Sequence, residues 1–172
     1  MRFRALAGGI AVIGAVLATA LSGIAQADPS ERGTTSAPLT EMRTAGDKGW
    51  FYTARADEAV TAEKAHGFTD ATQVGRIDLA PTEGSNPVHR LRLKEGGPSY
   101  MLSISPEEWK SPKFVDEGVA GYLDGHEDSG DVGLVRFSKD GKWRVLTDTP
   151  ANVENMKNAG YEVDGPLGWF RP

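Results

Sequence analysis

The sequence contains no cysteine. That excludes disulfide staples, thiolate catalysis, cysteine-ligated metal and a lipid-modified cysteine behind a cleavage point, so stability has to come from packing alone. Histidine is almost as scarce, with His66, His89 and His126 the only three. No G-x-S-x-G, no H-E-x-x-H and no second histidine at helical spacing is present, and adjacent carboxylates such as Glu107 and Glu108 point to different sides of a helix. Clustered basic residues are lacking too. A formal net charge of −5 argues against a nucleic-acid partner, which needs Lys and Arg to neutralise phosphates.

What is present begins with an address label. Arg2 and Arg4 precede an apolar, small-residue stretch from Leu6 to Ile24, and Ala25-Gln26-Ala27 has the small-x-small form that a signal peptidase accepts. Residues 1–27 therefore read as a signal peptide, and the expected location is secreted and extracellular, with no membrane association after cleavage. Loss of Arg2 and Arg4 takes the charge from −5 to −7. Residues 28–38, "DPSERGTTSAP", are polar and contain Pro and Gly, which predicts a flexible leader. A single domain, expected to be monomeric, then fills 39–172.

Self-similarity organises that domain. Moving 136–170 back by 93 positions sets Arg136 on Arg43, Trp143 on Trp50, Gly160 on Gly67 and Gly168 on Gly75. A shift of 44 sets Arg92 on Arg136 and Pro106 on Pro150. Three copies, about 39–86, 87–131 and 132–172, follow from these shifts. Each starts with an x-R-x strand and continues through a Gly- and Lys-containing turn into "WFYTA", "SYMLSI" or "WRVLT". Helix signals come next: Ala56 to His66 closed by Gly67, a one- to two-turn segment in "SPEEWKSP" stopped by Pro112, and a helix capped by Thr149 with Pro150 first and Gly160 at its end. The last strand carries Gly75, Gly121 or Gly168, which predicts a bulge or a close backbone approach.

"WFYTARADE" (50–58) and "DEGVAGYL" (116–123) bring in a resemblance. The pattern resembles a repeat of secreted bacterial proteins, loosely Y-R-L-Y-N, H-F-Y-T-T-S-x-x-E, a helix ending in G-W, and E-G-x-A-x-Y, long labelled a domain of unknown function. The resemblance implies architecture and location rather than chemistry. The family's histidine is replaced by Trp50, Ser99 and Trp143, and its acidic residue is Glu58, approximately Glu107, and then Ala151.

The fold expected from these signals is α+β: three strand-strand-helix-strand repeats closed around a pseudo-threefold axis, with a β-trefoil-like arrangement as the alternative. Candidate ligand-binding residues are Arg43, Arg92 and Arg136, whose guanidinium forks suit anions or glycans, and the aromatics Trp50, Trp143 and Tyr52, whose rings suit a sugar's apolar face. A structural role for the arginines is the competing reading, each pairing with an acid such as Asp116, Glu117 or Asp164. The acidic run 124–131 fits no twelve-residue calcium loop and reads as a solvated turn, so neither metal nor cofactor is expected. The function expected is non-catalytic binding of a cell-wall or environmental polysaccharide. A secreted protein that binds or inhibits another extracellular protein is the alternative, and a hydrolase comes third.

Overall fold

A computed structural model describes residues 36–172. The expected signal peptide at 1–27 and the expected leader as far as residue 35 lie outside the described residues. Residues 36–38, read from the sequence as leader, already belong to the first strand.

In chain order the elements are β1 (Ser36–Arg43), a 3-10 turn at Ala45–Asp47, β2 (Trp50–Thr53), α1 (Ala56–His66), β3 (Thr69–Asp78), β4 (Ser85–Leu93), β5 (Tyr100–Ser103), α2 (Pro106–Trp109), β6 (Phe114–Asp124), β7 (Val132–Lys139), β8 (Lys142–Thr147), α3 (Pro150–Asn158) and β9 (Glu162–Phe170). Among the described residues all strand pairing is antiparallel. Three ladders carry almost all of it: β2-β1-β3, β5-β4-β6 and β8-β7-β9. Single residue pairs, Asp78 with Tyr122 and Asp124 with Trp169, join the ladders into one nine-stranded sheet.

This corrects the expected fold class. The described chain is 50% strand and 20% helix, and it forms an open, mostly antiparallel sheet rather than strand-strand-helix-strand repeats closed about a threefold axis. Strands β2, β5 and β8 each hydrogen-bond to a single neighbour, so the sheet has edges, and the β-trefoil-like alternative falls with the same finding. The physical reason lies in the helices. Among their residues only Ala62 of α1 and Met156 of α3 are buried, and α2 buries none, so the helices cannot form a layer of their own. The strands supply the core instead.

That core is largely apolar. Leu39, Ile77, Val88, Leu102, Leu123, Leu134 and Val145 meet in one cluster, each at most 1% exposed, and each contributes roughly 1.5–3 kcal/mol by leaving water. Two satellites flank it, Met42, Phe51, Ala62 and Phe68 under α1, and Val135, Phe137 and Met156 under α3.

Local chemistry accounts for the element ends. Gly67 adopts φ +66° and ends α1, with Phe68 N–H returning to the Ala62 carbonyl. The Thr149 side chain accepts from Asn152 N–H, and Pro150 occupies the first turn of α3. The strand glycines act where the ladders slip. Register shifts follow Leu39, Val88 and Leu134, the partners of Gly75, Gly121 and Gly168.

Candidate functional site

The slip after Leu39, Val88 and Leu134 sets the geometry of the polar residues. Two positions further on stand Glu41, Arg90 and Arg136. Arg136 on β7 reaches α2, where its Nη1 and Nη2 donate to the two oxygens of Glu108 at 2.8 and 2.7 Å. It also donates to the Leu102 carbonyl at 3.0 Å and, through Nε, to Asp164 on β9 at 2.8 Å. Arg90 on β4 repeats the set. It donates to Glu58 of α1 at 3.1 and 2.8 Å, to the Tyr52 carbonyl at 2.8 Å and to Glu117 of β6 at 2.9 Å. A hydroxyl completes each clip, Thr53 donating to Glu58 and Ser103 to Glu108.

The third seam is built differently. Glu41, 1% exposed, accepts from Arg144 at 2.7 Å and lies 2.9 Å from the Tyr52 hydroxyl, which is also 2.9 Å from the Trp143 carbonyl. Burial, followed by the Glu41 charge, pushes the Tyr52 phenol well above its ordinary value, so it stays protonated. Asn152 stands where the other seams have Glu58 or Glu108, five residues beyond Thr147, and donates to the carbonyl and hydroxyl of that residue.

Burial works to raise the Glu58 and Glu108 carboxyls, but the hydrogen bonds from Arg90 with Thr53 and from Arg136 with Ser103 outweigh it and hold both low. A carboxylate lowered in the folded state contributes stability that is full above its unfolded pKa, about 4.3, and is lost as pH falls through the folded value. The melting temperature is therefore expected to hold steady down to about pH 5 and to fall below about pH 4.3. The double variant Glu58→Gln/Glu108→Gln should melt lower at pH 7 and show a flatter acid limb. An unchanged acid limb in a thermal melt series would contradict this assignment.

A groove of about 590 Å³ opens beside the Arg136 clip. Leu93, Met101, Phe114 and Trp143 make its apolar wall, with Lys113 and Ser138 among its polar lining. The Phe114 and Trp143 rings meet edge to face, centroids 5.5 Å apart at 67°. Both side chains are partly exposed. The volume falls within the range of ligand pockets, whereas the recesses at the Arg90 and Arg136 clips, about 170 and 90 Å³, do not.

The candidate residues separate accordingly. Trp143 lines the groove, and Arg136 lines it too while engaged by Glu108 and Asp164. Trp50 is not its counterpart, because the Arg144 and Arg43 guanidinium groups lie over its ring at 4.1 and 5.4 Å. Arg43 is half-exposed and pairs with Asp70 at 3.3 Å, and Arg92 shares Glu117 with Arg90. Tyr52 is 0% exposed and can touch no ligand. In the acidic run, Asp128 N–H donates to Asp131, and Asp131 lies 3.5 Å from Arg171. His89 stacks on Trp109 with centroids 3.8 Å apart and contacts Asp116 at 2.9 Å.

Sequence reasoning missed Glu41, Arg90, Glu108, Arg144 and the groove residues Lys113, Phe114 and Ser138. One signal was available for the seam. Leu39/Met42, Val88/Leu91 and Leu134/Phe137 are buried apolar pairs three apart, and a charged residue stands third in each set of four. That spacing breaks the period of two and marks the bulge.

A family model, described as Domain of unknown function (DUF5648), matches residues 50–170. The chain belongs to this family. The matched span of this DUF5648 protein starts at the first residue of β2 and ends at the last of β9, so it holds both arginine clips and the whole groove but not Glu41 or Arg43. No curated protein and no solved structure matches the chain.

Proposed function

We propose that this DUF5648 protein is a secreted, non-catalytic binding module for a cell-wall or environmental polysaccharide, with the Trp143–Phe114 groove as its site. One observation carries the reading: partly exposed aromatic rings line a ligand-sized groove that also presents polar side chains. A sugar ring stacks its C–H face on such a ring while hydroxyls find polar neighbours. Secretion rests on the basic start, apolar stretch and Ala25-Gln26-Ala27. Non-catalytic binding fits the state of the carboxylates. Glu108 and Asp164 both hold Arg136, and the Glu108 carboxyl, kept low, makes a poor proton donor at neutral pH.

The test is retention of the purified protein on insoluble peptidoglycan, chitin and cellulose. Trp143→Ala is expected to weaken retention on the bound polymer about tenfold, the loss of roughly 1.4 kcal/mol of stacking. Trp50→Ala should bind as the parent does, since its ring is occupied by Arg43 and Arg144. The Tyr52 contact survives in Trp143→Ala because it uses the main-chain carbonyl. Retention on none of the polymers overturns the glycan reading and favours a protein partner.

A further inference from the structure

We infer that the polymer taken by this groove is anionic, a polysaccharide carrying carboxylate or phosphate groups, a step that rests on the groove reading above. The β4/β6 ladder ends at the pair Leu93 and Phe114, both lining the groove. Immediately beyond it the Lys94 N–H donates to the Lys113 carbonyl at 3.0 Å. Lys94 and Lys113 are therefore main-chain neighbours at this ladder end, and Lys113, though not Lys94, lines the groove directly. Both are exposed, and among the described residues neither forms an ion pair, whereas Arg92 and Arg136 close by are held by Glu117, Glu108 and Asp164.

Like charges set opposite each other across a ladder oppose folding. The other two ladders do not place such a pair at this end. Beyond Arg43 and Thr69 come Thr44 and Phe68, and beyond Ser138 and Glu162 come Lys139 and Tyr161, with the Lys139 ammonium donating to the Ala159 carbonyl. The doubled lysine is thus confined to the one ladder end that borders the aromatic wall. An anionic sugar answers both features, its ring face on Trp143 and its acid group on the lysines. The chain's net charge of −5 does not cancel this, because charges beyond about 8 Å are screened at physiological salt.

The experiment is affinity electrophoresis of the full chain in gels holding polygalacturonate, a poly(glycerol phosphate) polymer or neutral dextran, with Lys94→Gln/Lys113→Gln and Trp143→Ala alongside. The expected result is retardation by at least one polyanion that exceeds the neutral gel about tenfold and weakens about tenfold in the lysine variant. Which polyanion retards the chain distinguishes carboxylate from phosphate. The lysine variant should melt no lower than the parent, since it removes a repulsion. Equal retardation by charged and neutral polymers, untouched by the lysine variant and reduced by Trp143→Ala, overturns the anionic inference and leaves the groove reading standing. Retardation by a polyanion that Trp143→Ala does not change overturns the groove reading, and with it this inference. Binding to none of the three overturns the anionic inference, and retention on the insoluble polymers then decides the groove reading separately.

Discussion

Gly168→Ala is expected to lower stability by about 4 kcal/mol, the sum of a strained backbone and an overpacked contact. In a domain of this size that corresponds to a fall in melting temperature of roughly 15 °C. Gly168 sits at φ +139°, where an L side chain is strained. A Cβ there would stand 2.7 Å from the Asp124 carbonyl oxygen and 2.8 Å from the Leu123 Cβ. Neither neighbour can retreat, since Asp124 is the residue whose pairing with Trp169 joins two ladders and Leu123 is 1% exposed in the core. Gly165, at φ +137° with nothing within 4 Å of its virtual Cβ, is the control. Gly165→Ala should cost only the backbone part, about 1–2 kcal/mol. Equal losses for the two variants in urea unfolding would show that the close approach at Gly168 yields without cost.

Arg136→Ala is expected to be the next most damaging change, at about 3 kcal/mol. Truncation leaves Glu108 and Asp164 facing each other without their common cation, and it strips the Leu102 carbonyl of its donor. The Arg136 side chain is 13% exposed and Glu108 31%, so water softens the loss to the lower part of the range for a buried pair. Arg92→Ala provides the comparison. Its side chain is 40% exposed and shares a carboxylate that Arg90 already holds, so about 0.5 kcal/mol or less is expected. If the two arginines lose equal stability in denaturant titrations, the clip is not what holds α2 to the sheet.

The contrast between these arginines explains how much was legible in the sequence. Local grammar was: glycine stops, the Thr149-Pro150 start and the Pro112 stop depend on residues a few positions apart, and the helices lie where those signals put them. Register was not. Matching Arg43, Arg92 and Arg136 assumes an equal count of residues before each turn, but the ladder breaks place Glu41 and Arg90 in line with Arg136. A slip of one or two residues exchanges faces or partners, which turns a ligand-facing candidate into a clip and the reverse. The same error paired Trp50 with Trp143, whereas the five-residue spacings that end at Glu58, Glu108 and Asn152 line Trp50 up with Tyr100 and Arg144. The fold class failed for a different reason. Helix propensity announces that a helix forms, but only the burial of its face decides whether it becomes a layer, and Ala62 and Met156 are too little to make one. The groove was illegible because Phe114 and Trp143 meet only through tertiary packing.

The ladders are joined to one another by single residue pairs, so what binds them is chiefly side chains rather than main-chain hydrogen bonds. A seam of that kind is open to revision through its side chains, changed together. A main-chain seam depends on strand geometry that side chains do not rewrite, but a clip of Arg, Glu and hydroxyl can be replaced, as a set, by another solution. The buried Glu41 with Arg144 and Tyr52 is such another solution beside the two arginine clips. Two different chemistries therefore close seams over one continuous core, so the fold does not require the same residues at each of its joints.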